Sequence, residues 1–150
     1  MQMEIALTYN LKEKDESKPP DYFSEFDSEE TVNAIVSALN RKGHTVHRVN
    51  VSSQDLIGFF RARPVDMVFN IAEGAGGRYR ESEVPALLEY LDVPYTGSTP
   101  FALALALNKA LTKKILMAEN IPTPNFQLFE TGREELKPDL KFPLIVKPNC

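Results

Sequence analysis

The chain has 150 residues, of which 43% are hydrophobic and 25% are charged, with a formal net charge of -4 at pH 7. This length accommodates one ordinary domain, or a small domain and the beginning of a second. Lysine and arginine are scattered along the chain, which argues against nucleic acid as a partner. No apolar run approaches the ~18 residues of a membrane span, so we expect no membrane partner either.

The cysteine content and the first residues bear on the cellular compartment. A single cysteine, Cys150, excludes an internal disulfide framework, and with only His44 and His47 beside it there is no cysteine–histidine zinc pattern. The first seven residues lack the basic flank and long apolar segment of a secretory signal and are typical of a strand. We therefore predict a cytoplasmic protein.

The first third of the chain predicts a strand, a long loop and a helix. The apolar run from Glu4 to Tyr9 is typical of a buried strand. Residues 10–26 are polar and contain Pro19-Pro20, which predicts an unusually long connection. Ser28 can cap a helix whose apolar residues recur at helical spacing, and Gly43 suits the left-handed position after its end.

The rhythm of strand and helix continues to residue 98. Residues 45–51 predict a second strand, and Ser53 can cap the helix that follows it. Residues 65–72 are nearly continuously apolar, as in a parallel strand covered on both faces. A helix with Pro85 in its first turn and a short strand at 93–96 complete the pattern. It predicts an α/β fold with an open parallel sheet and helices on both faces.

The pattern changes after Ser98, where we place a boundary between an α/β domain at 1–98 and a second unit at 99–150. Thr99 can cap a helix with Pro100 at its first position, and this helix continues to residue 120 with a break near Asn108. Residues 126–129 and 142–148 each have the composition of a strand.

The glycine-rich turn at 73–77 is the first place to look for a ligand, because open α/β sheets bind ligands at the carboxyl ends of their strands. The small residues there either close a plain tight turn or let backbone amides approach a ligand. The dinucleotide fingerprint is absent, since the first strand runs into Thr8 to Leu11 without a glycine. This disfavours a nicotinamide-dependent dehydrogenase.

Several lysines allow two interpretations. Lys147 ends a strand-like segment, where a lysine either extends to water or meets an anion such as a phosphate. Lys109, Lys113 and Lys114 lie on a predicted helix, where a solvated charged face is the simpler explanation.

Five short motifs nevertheless occur in one order. They are Phe69-Asn70-Ile71-Ala72-Glu73-Gly74, Pro94-Tyr95-Thr96-Gly97-Ser98, Asn108-Lys109 to Lys113, Ile121-Pro122-Thr123-Pro124 and Pro143-Leu144-Ile145-Val146-Lys147-Pro148. In this order they resemble the amino-terminal portion of an ATP-grasp ligase of the D-alanine–D-alanine ligase type. The resemblance covers nearly the whole chain from the first strand onward.

The resemblance implies a function and a set of site residues. Residues 1–98 would contribute to an amino-acid site, and residues 99–150 would begin an ATP-grasp domain. Lys109 and Lys147 match the two lysines that contact nucleotide phosphates. The complete enzyme would use ATP and Mg²⁺ to join amino acids through an acyl phosphate, in the service of peptidoglycan synthesis for the cell wall. The metal ligands are expected beyond residue 150, and a homodimer is compatible with the family.

The sequence departs from the family pattern at two places that bear on substrate. The family commonly has a His-Gly pair after the third strand, where this chain has Glu73-Gly74. The family's first strand usually runs into a Gly-Gly turn and a glutamate that binds an amino group, whereas residues 10–26 replace that turn here. We expect Glu73 and Gly74 to bind substrate, and these departures leave the identity of the amino acid open.

The carboxylate that replaces the family's glutamate is one of three. Glu25, Asp27 and Glu29 lie near the start of the first predicted helix, where carboxylates also favour the positive helix end without any ligand. We choose Glu25 as the candidate for substrate binding.

Other functions remain open at this stage. One alternative is an ATP-grasp ligase for a different amino acid or a peptide, and another is a non-catalytic small-molecule binding or regulatory α/β module. We expect this chain alone to be inactive, with residues 99–150 frayed or held by a second copy, and with Lys147 not yet organised for ATP.

Overall fold

The computed structural model describes residues 1–13, 16–19, 22–74 and 76–150. Three parallel strands form an open sheet in the order β2-β1-β3, with β1 at Glu4–Tyr9, β2 at Thr45–Asn50 and β3 at Met67–Asn70. The helices are α1 (Glu29–Arg41), α2 (Leu56–Ala62), α3 (Glu83–Tyr90), α4 (Pro100–Leu107) and α5 (Lys109–Ala118), with a short 3₁₀ helix at Arg80–Ser82 before α3. The predicted open parallel sheet is confirmed.

Helices cover both faces of this sheet, as predicted. On one face, Ala6 of β1 contacts an apolar cluster drawn from β2, β3, α2 and α3. Its other members are Val49, Val51, Phe60, Val68, Ala72, Val84 and Leu88. On the opposite face, Leu7 and Tyr9 pack against Val32 of α1. Alternate residues of β1 therefore serve two cores, which explains why the strand is apolar nearly throughout.

The N-cap predicted from the sequence is confirmed for α1 and wrong for α2. Ser28 caps α1, because its hydroxyl accepts a hydrogen bond from the backbone N–H of Thr31 at 3.2 Å. The prediction that Ser53 caps α2 is wrong. Asp55 performs that role by accepting from the N–H of Gly58 at 3.0 Å, since Ser53 is still part of the turn that leaves β2.

Strand boundaries are tighter than the sequence suggested. The third strand covers Met67–Asn70 rather than residues 65–72, and the predicted strand at 93–96 is reduced to a single bridge between Val68 and Tyr95. Val68 forms both hydrogen bonds of this bridge, donating to Pro94 O at 2.8 Å and accepting from Thr96 N at 2.9 Å. The segment therefore extends the sheet edge by one residue only.

The second half of the chain mixes a confirmed prediction with a wrong one. The helix break near Asn108 is confirmed, because Asn108 ends α4 and caps α5. The strands predicted at 126–129 and 142–148 are not formed. In the first of these segments the Gln127 side chain, not a neighbouring strand, bonds to the backbone of Glu135 and Lys137 at 2.8 Å each. A strand requires a paired backbone ladder, and neither segment has one within the described residues.

The domain boundary near residue 98 stays a prediction. Helix α4 packs against the 3₁₀ helix and against α3, so the two regions are in contact. Among the described residues, no helix has both the length and the apolar character needed to cross a membrane.

The central strand should dominate stability. Replacing Leu7, which is completely buried in β1, with alanine is expected to lower the free energy of unfolding by about 2–5 kcal/mol. Urea denaturation of the two proteins measures this difference. The control is Ile145→Ala, whose side chain is 83% exposed and should change stability by less than about 0.5 kcal/mol. Equal losses in both variants would contradict the assignment of the core.

Candidate amino-acid and nucleotide sites

Buried and half-buried polar side chains collect where β1 and β3 end. The hydroxyl of Thr8 donates to the Asn70 carbonyl oxygen Oδ1 at 2.7 Å, and the backbone N–H of Asn70 donates to Thr96 Oγ1 at 3.1 Å. Carboxyl ends of parallel strands meet at one edge of the sheet, which is where α/β proteins bind ligands. This edge is therefore the natural place for a site.

Asn10, directly after β1, lies completely buried at this edge. Its Oδ1 accepts from the backbone N–H groups of Glu73 at 2.8 Å and Gly74 at 3.1 Å. Its Nδ2 donates to Gly74 O at 3.0 Å and to Ser52 Oγ at 2.8 Å. The sequence interpretation missed this residue, because an asparagine at the start of a polar loop is unremarkable in a sequence.

The turn at Glu73-Gly74 requires its glycine. Gly74 has φ of +83°, and a Cβ placed there would lie 2.0 Å from the backbone oxygen of Arg80. Both the left-handed backbone and this close approach exclude a side chain. Gly74 is thus a structural part of the turn that presents Glu73.

A cavity of about 400 Å³ opens beside this turn. Four carboxylates line it, namely those of Glu25, Asp27, Glu73 and Glu81, together with Gly97 and Ser98. The structure thus brings Glu73 and Glu25 into one cavity, whereas Gly74 is not among the residues that line it. Glu29 does not line the cavity but occupies the first turn of α1, with its carboxylate 3.4 Å from the Arg48 guanidinium.

Burial and neighbouring charges disfavour ionisation of two carboxyl groups in this cavity, those of Glu73 and Asp27. Burial is the main reason that the pKa of Glu73 lies above its ordinary value, and the neighbouring carboxylates of Glu81 and Glu25 raise it further. The guanidinium of Arg80 opposes this rise. Burial also raises the pKa of Asp27.

Arg80 connects the long loop to the cavity wall. Its guanidinium donates to the carboxylate of Glu25 and lies 3.9 Å from the carboxylate of Glu81. The base of the loop is fixed to the end of β1, since Asp27 N donates to Asn10 O at 2.8 Å. Glu25 therefore has a defined place although it belongs to a loop.

The two lysines carried over by the resemblance line a second cavity, of about 390 Å³. Lys109 begins α5, and Lys147 lies in the segment after residue 142. Lys113 lines the same cavity, but its ammonium already bonds within the protein. It donates to Thr123 Oγ1 at 2.9 Å and to Pro124 O at 2.7 Å. The structure thus places Lys109 and Lys147 around one space, where both ammonium groups could meet one anion.

Asn149 joins the Lys147 segment to the start of α5. Its backbone oxygen accepts from Lys109 N at 3.0 Å, and its Oδ1 accepts from Ala110 N at 2.9 Å. Its Nδ2 donates to the cap residue Asn108 at 3.2 Å. The first amides of α5 are therefore already bonded, so an anion in this cavity would depend on ammonium groups.

A metal site does not arise from the described residues. No group of three or more histidine, cysteine, aspartate or glutamate side chains in the ranges given above is arranged to hold an ion. The four carboxylates of the acidic cavity therefore do not fit Mg²⁺ as a ligand set, and we assign no step of a reaction to a metal here.

The raised pKa of Glu73 predicts a pH-dependent gain in stability for Glu73→Gln. Ionisation of Glu73 is less favourable in the folded than in the unfolded chain. The contribution of protonated Glu73 to the free energy of unfolding is fully present below the pKa of an unfolded glutamate, about 4.3. It is lost as the pH rises through the higher pKa of Glu73 in the folded chain. The glutamine variant lacks this loss, so its stability relative to the original chain should increase with pH.

Denaturation at pH 4 and pH 7 measures this change. Glu135→Gln, at an exposed position, is the matched control and should show no comparable increase. A constant difference between Glu73→Gln and the original chain at both pH values would contradict the electrostatic assignment.

Comparison with known proteins gives a consistent result. The chain is 39% identical over 122 residues to the uncharacterized protein y4sG of Sinorhizobium fredii, covering 77% of this chain and 36% of that protein. It is 35% identical over 125 residues to the D-alanine–D-alanine ligase of Carboxydothermus hydrogenoformans, covering 78% and 39%. It is 37% identical over 117 residues to D-alanine–D-alanine ligase B of Pseudomonas putida, covering 77% and 36%. The chain thus spans less than half the length of these curated relatives.

The fold supports the same relationship. The crystal structure of D-alanine–D-alanine ligase from Bacillus anthracis complexed with ATP matches with a TM-score of 0.62 at 22% identity, covering 91% of this chain and 43% of that one. At this identity the likeness concerns the fold alone. No protein-family model matches the sequence. Together, the named relatives and the shared fold show that this chain resembles the amino-terminal portion of the D-alanine–D-alanine ligase family.

Proposed function

We propose that this chain supplies the amino-acid site and part of the ATP site of a ligase that joins a carboxylate to an amine through an acyl phosphate. The relatives named D-alanine–D-alanine ligase support this class of activity. The observation that carries the proposal is the meeting of Glu73 and Glu25 in one acidic cavity at the carboxyl edge of the sheet. Residues 1–98 would form the first domain and residues 99–150 the beginning of the second.

The acidic cavity suits the ammonium group of an amino acid. Four carboxylates line the cavity, and Arg80 neutralises part of their charge through Glu25 and Glu81. Burial, and after it the carboxylates of Glu81 and Glu25, raise the pKa of Glu73, so its ionised form is disfavoured in the unliganded protein. A bound ammonium would add positive charge beside this carboxyl and favour its ionised form. Glu73 and Glu25 are accordingly the groups that we assign to the substrate, with Gly74 shaping the turn.

The second cavity suits the phosphates of ATP. An ammonium group acts on a phosphate as a point charge and does not require the paired geometry that arginine provides. Lys109 and Lys147 offer two such charges around one space. In the complete ligase, phosphate binding would then depend on these two side chains, because Asn149 and Asn108 already occupy the amides at the start of α5.

The same proposal includes Mg²⁺ as the cofactor of the complete ligase and the cytoplasm as its location. A nucleotide-dependent ligase requires a divalent cation to neutralise the phosphates when they are transferred. The residues of this chain that we assign hold the amino group and the phosphates in place, and they do not include a ligand of that cation.

A binding module without chemistry is the second candidate. The acidic cavity is lined by residues between 25 and 103, so none of the lysines of the second cavity contributes to it. An amino acid could therefore bind without any nucleotide. Turnover of ATP in the presence of an amino acid separates the two candidates.

Calorimetry with D-alanine tests the amino-acid site. We expect D-alanine to bind and N-acetyl-D-alanine, which lacks the ammonium group, to bind at least about tenfold more weakly, because the carboxylates recognise positive charge. Glu73→Gln should weaken D-alanine binding by a similar factor. Equal affinity for both compounds would contradict the proposal, and Glu135→Gln serves as the control variant.

Binding of ATP tests the lysine assignment. Lys109→Met and Lys147→Met should each weaken binding of ATP with Mg²⁺ by about tenfold, since each removes one charge facing a phosphate. Lys141→Met, an exposed lysine outside the cavity, is the matched control and should have no effect. Calorimetry on this chain and on the complete ligase gives the comparison. Micromolar binding to this chain alone would contradict the expectation that its nucleotide site is incompletely organised.

A further inference from the structure

The side chain of Asn10 holds the peptide turn that carries Glu73 from inside the protein. The Oδ1 atom of Asn10 accepts hydrogen bonds from the N–H groups of Glu73 at 2.8 Å and Gly74 at 3.1 Å. Its Nδ2 atom donates to Gly74 O at 3.0 Å. Three of the four hydrogen bonds of this carboxamide thus go to one turn, and the fourth goes to Ser52 Oγ at 2.8 Å.

This set of partners matches asparagine and no other residue of similar size. A carboxamide offers one oxygen with two acceptor positions and one nitrogen with two donors, and all four are used here. Aspartate would lack both donors and would bring a negative charge into a position with 0% exposure. An aliphatic residue would leave the two amides and Gly74 O without their present partner.

The backbone of Arg80 also passes close to this turn. Gly74 lies against the backbone of Arg80 so closely that a Cβ would meet Arg80 O at 2.0 Å. The turn is therefore clamped between the carboxamide of Asn10 and the main chain of Arg80.

The same residue also sets a second wall of the cavity. The backbone oxygen of Asn10 accepts from Asp27 N at 2.8 Å, which fixes the far end of the long loop. Asp27 and Glu73, two of the four carboxylates that line the cavity, are thus placed by one residue that does not itself line it.

We propose that Asn10 is the positioning residue of the amino-acid site, whose carboxamide fixes the Glu73-Gly74 turn and thereby the place of the Glu73 carboxylate in the cavity. The role in binding rests on the function proposed above, whereas the control of the carboxylate's surroundings does not. The groups that face Glu73 are the carboxylates of Glu81, Glu25 and Asp27 and the guanidinium of Arg80.

The experiment follows the Glu73 carboxyl directly. The full 150-residue chain is labelled with ¹³C at the glutamate side-chain carboxyl, and the Glu73 signal, assigned from its absence in Glu73→Gln, is titrated. In Asn10→Ala the turn loosens and the carboxyl gains water, so its pKa should move down toward the ordinary glutamate range. D-alanine affinity, measured in parallel, should fall by about tenfold.

The matched control is Val49→Ala, which also truncates a completely buried side chain of the sheet, but one that cannot hydrogen-bond to the turn. It should lose stability without moving the Glu73 titration. If Asn10→Ala and Val49→Ala both lose stability and neither moves that titration, Asn10 serves only the fold and the proposal is wrong.

A milder variant keeps the test decisive if Asn10→Ala does not fold. Ser52→Ala removes the exposed partner of Asn10 Nδ2 and should move the Glu73 titration in the same direction by a smaller amount. An unchanged titration in Ser52→Ala would then overturn the proposal. Failure of D-alanine to bind the original chain would instead count against the proposed function, while the titration would still decide the role of Asn10.

Discussion

The arrangement of this protein depends on the parallel pairing of β1 on both of its edges. Because β2 and β3 flank it and helices cover both faces, every residue from Ile5 to Asn10 is buried. Two of these residues, Thr8 and Asn10, are polar, and a buried polar group must find hydrogen-bond partners within the protein. Thr8 bonds to Asn70 at the end of β3, and Asn10 bonds to Glu73 and Gly74 beyond that strand and to Ser52 after β2. The burial that stabilises the sheet thus also determines where the acidic cavity forms.

Carboxylates are held together in this cavity at a cost to stability. Burial, and after it repulsion by the carboxylates of Glu81 and Glu25, raise the pKa of Glu73, so ionising this carboxyl costs more free energy in the folded chain than in the unfolded one. Arg80 offsets part of this cost by pairing with Glu25. A carboxyl group in a cavity whose pKa is raised by burial and by neighbouring carboxylates is a candidate for a functional site.

The fold was predictable from the sequence where a signal is local. Apolar periodicity identified β1 and α1, Ser28 and Gly43 marked the ends of a helix, and Asn108 marked the break between α4 and α5. The strands proposed at 126–129 and 142–148 failed because strand formation requires a partner, which composition does not reveal.

The candidate site was predictable only in part. Glu73 and Glu25 were selected from a family resemblance, and the structure brings them into one cavity. Asn10 and Asn149 escaped notice because their importance lies in hydrogen bonds to residues far away in the chain, 63 positions away for Asn10 and Glu73 and 39 for Asn149 and Ala110. A single asparagine belongs to no periodic pattern or motif from which such contacts could be predicted.

The long connection after β1 is closed at its base, where Lys12 N donates to Asp27 O at 2.9 Å and Asp27 N donates to Asn10 O at 2.8 Å. A loop with fixed ends can change in length at small entropic cost, because closure entropy grows only logarithmically with the number of residues. Insertions and deletions between these two anchor points would therefore leave the sheet intact while altering what faces the cavity near Glu25. Changes in the length of this connection between Lys12 and Asp27 could therefore alter substrate preference without loss of the fold.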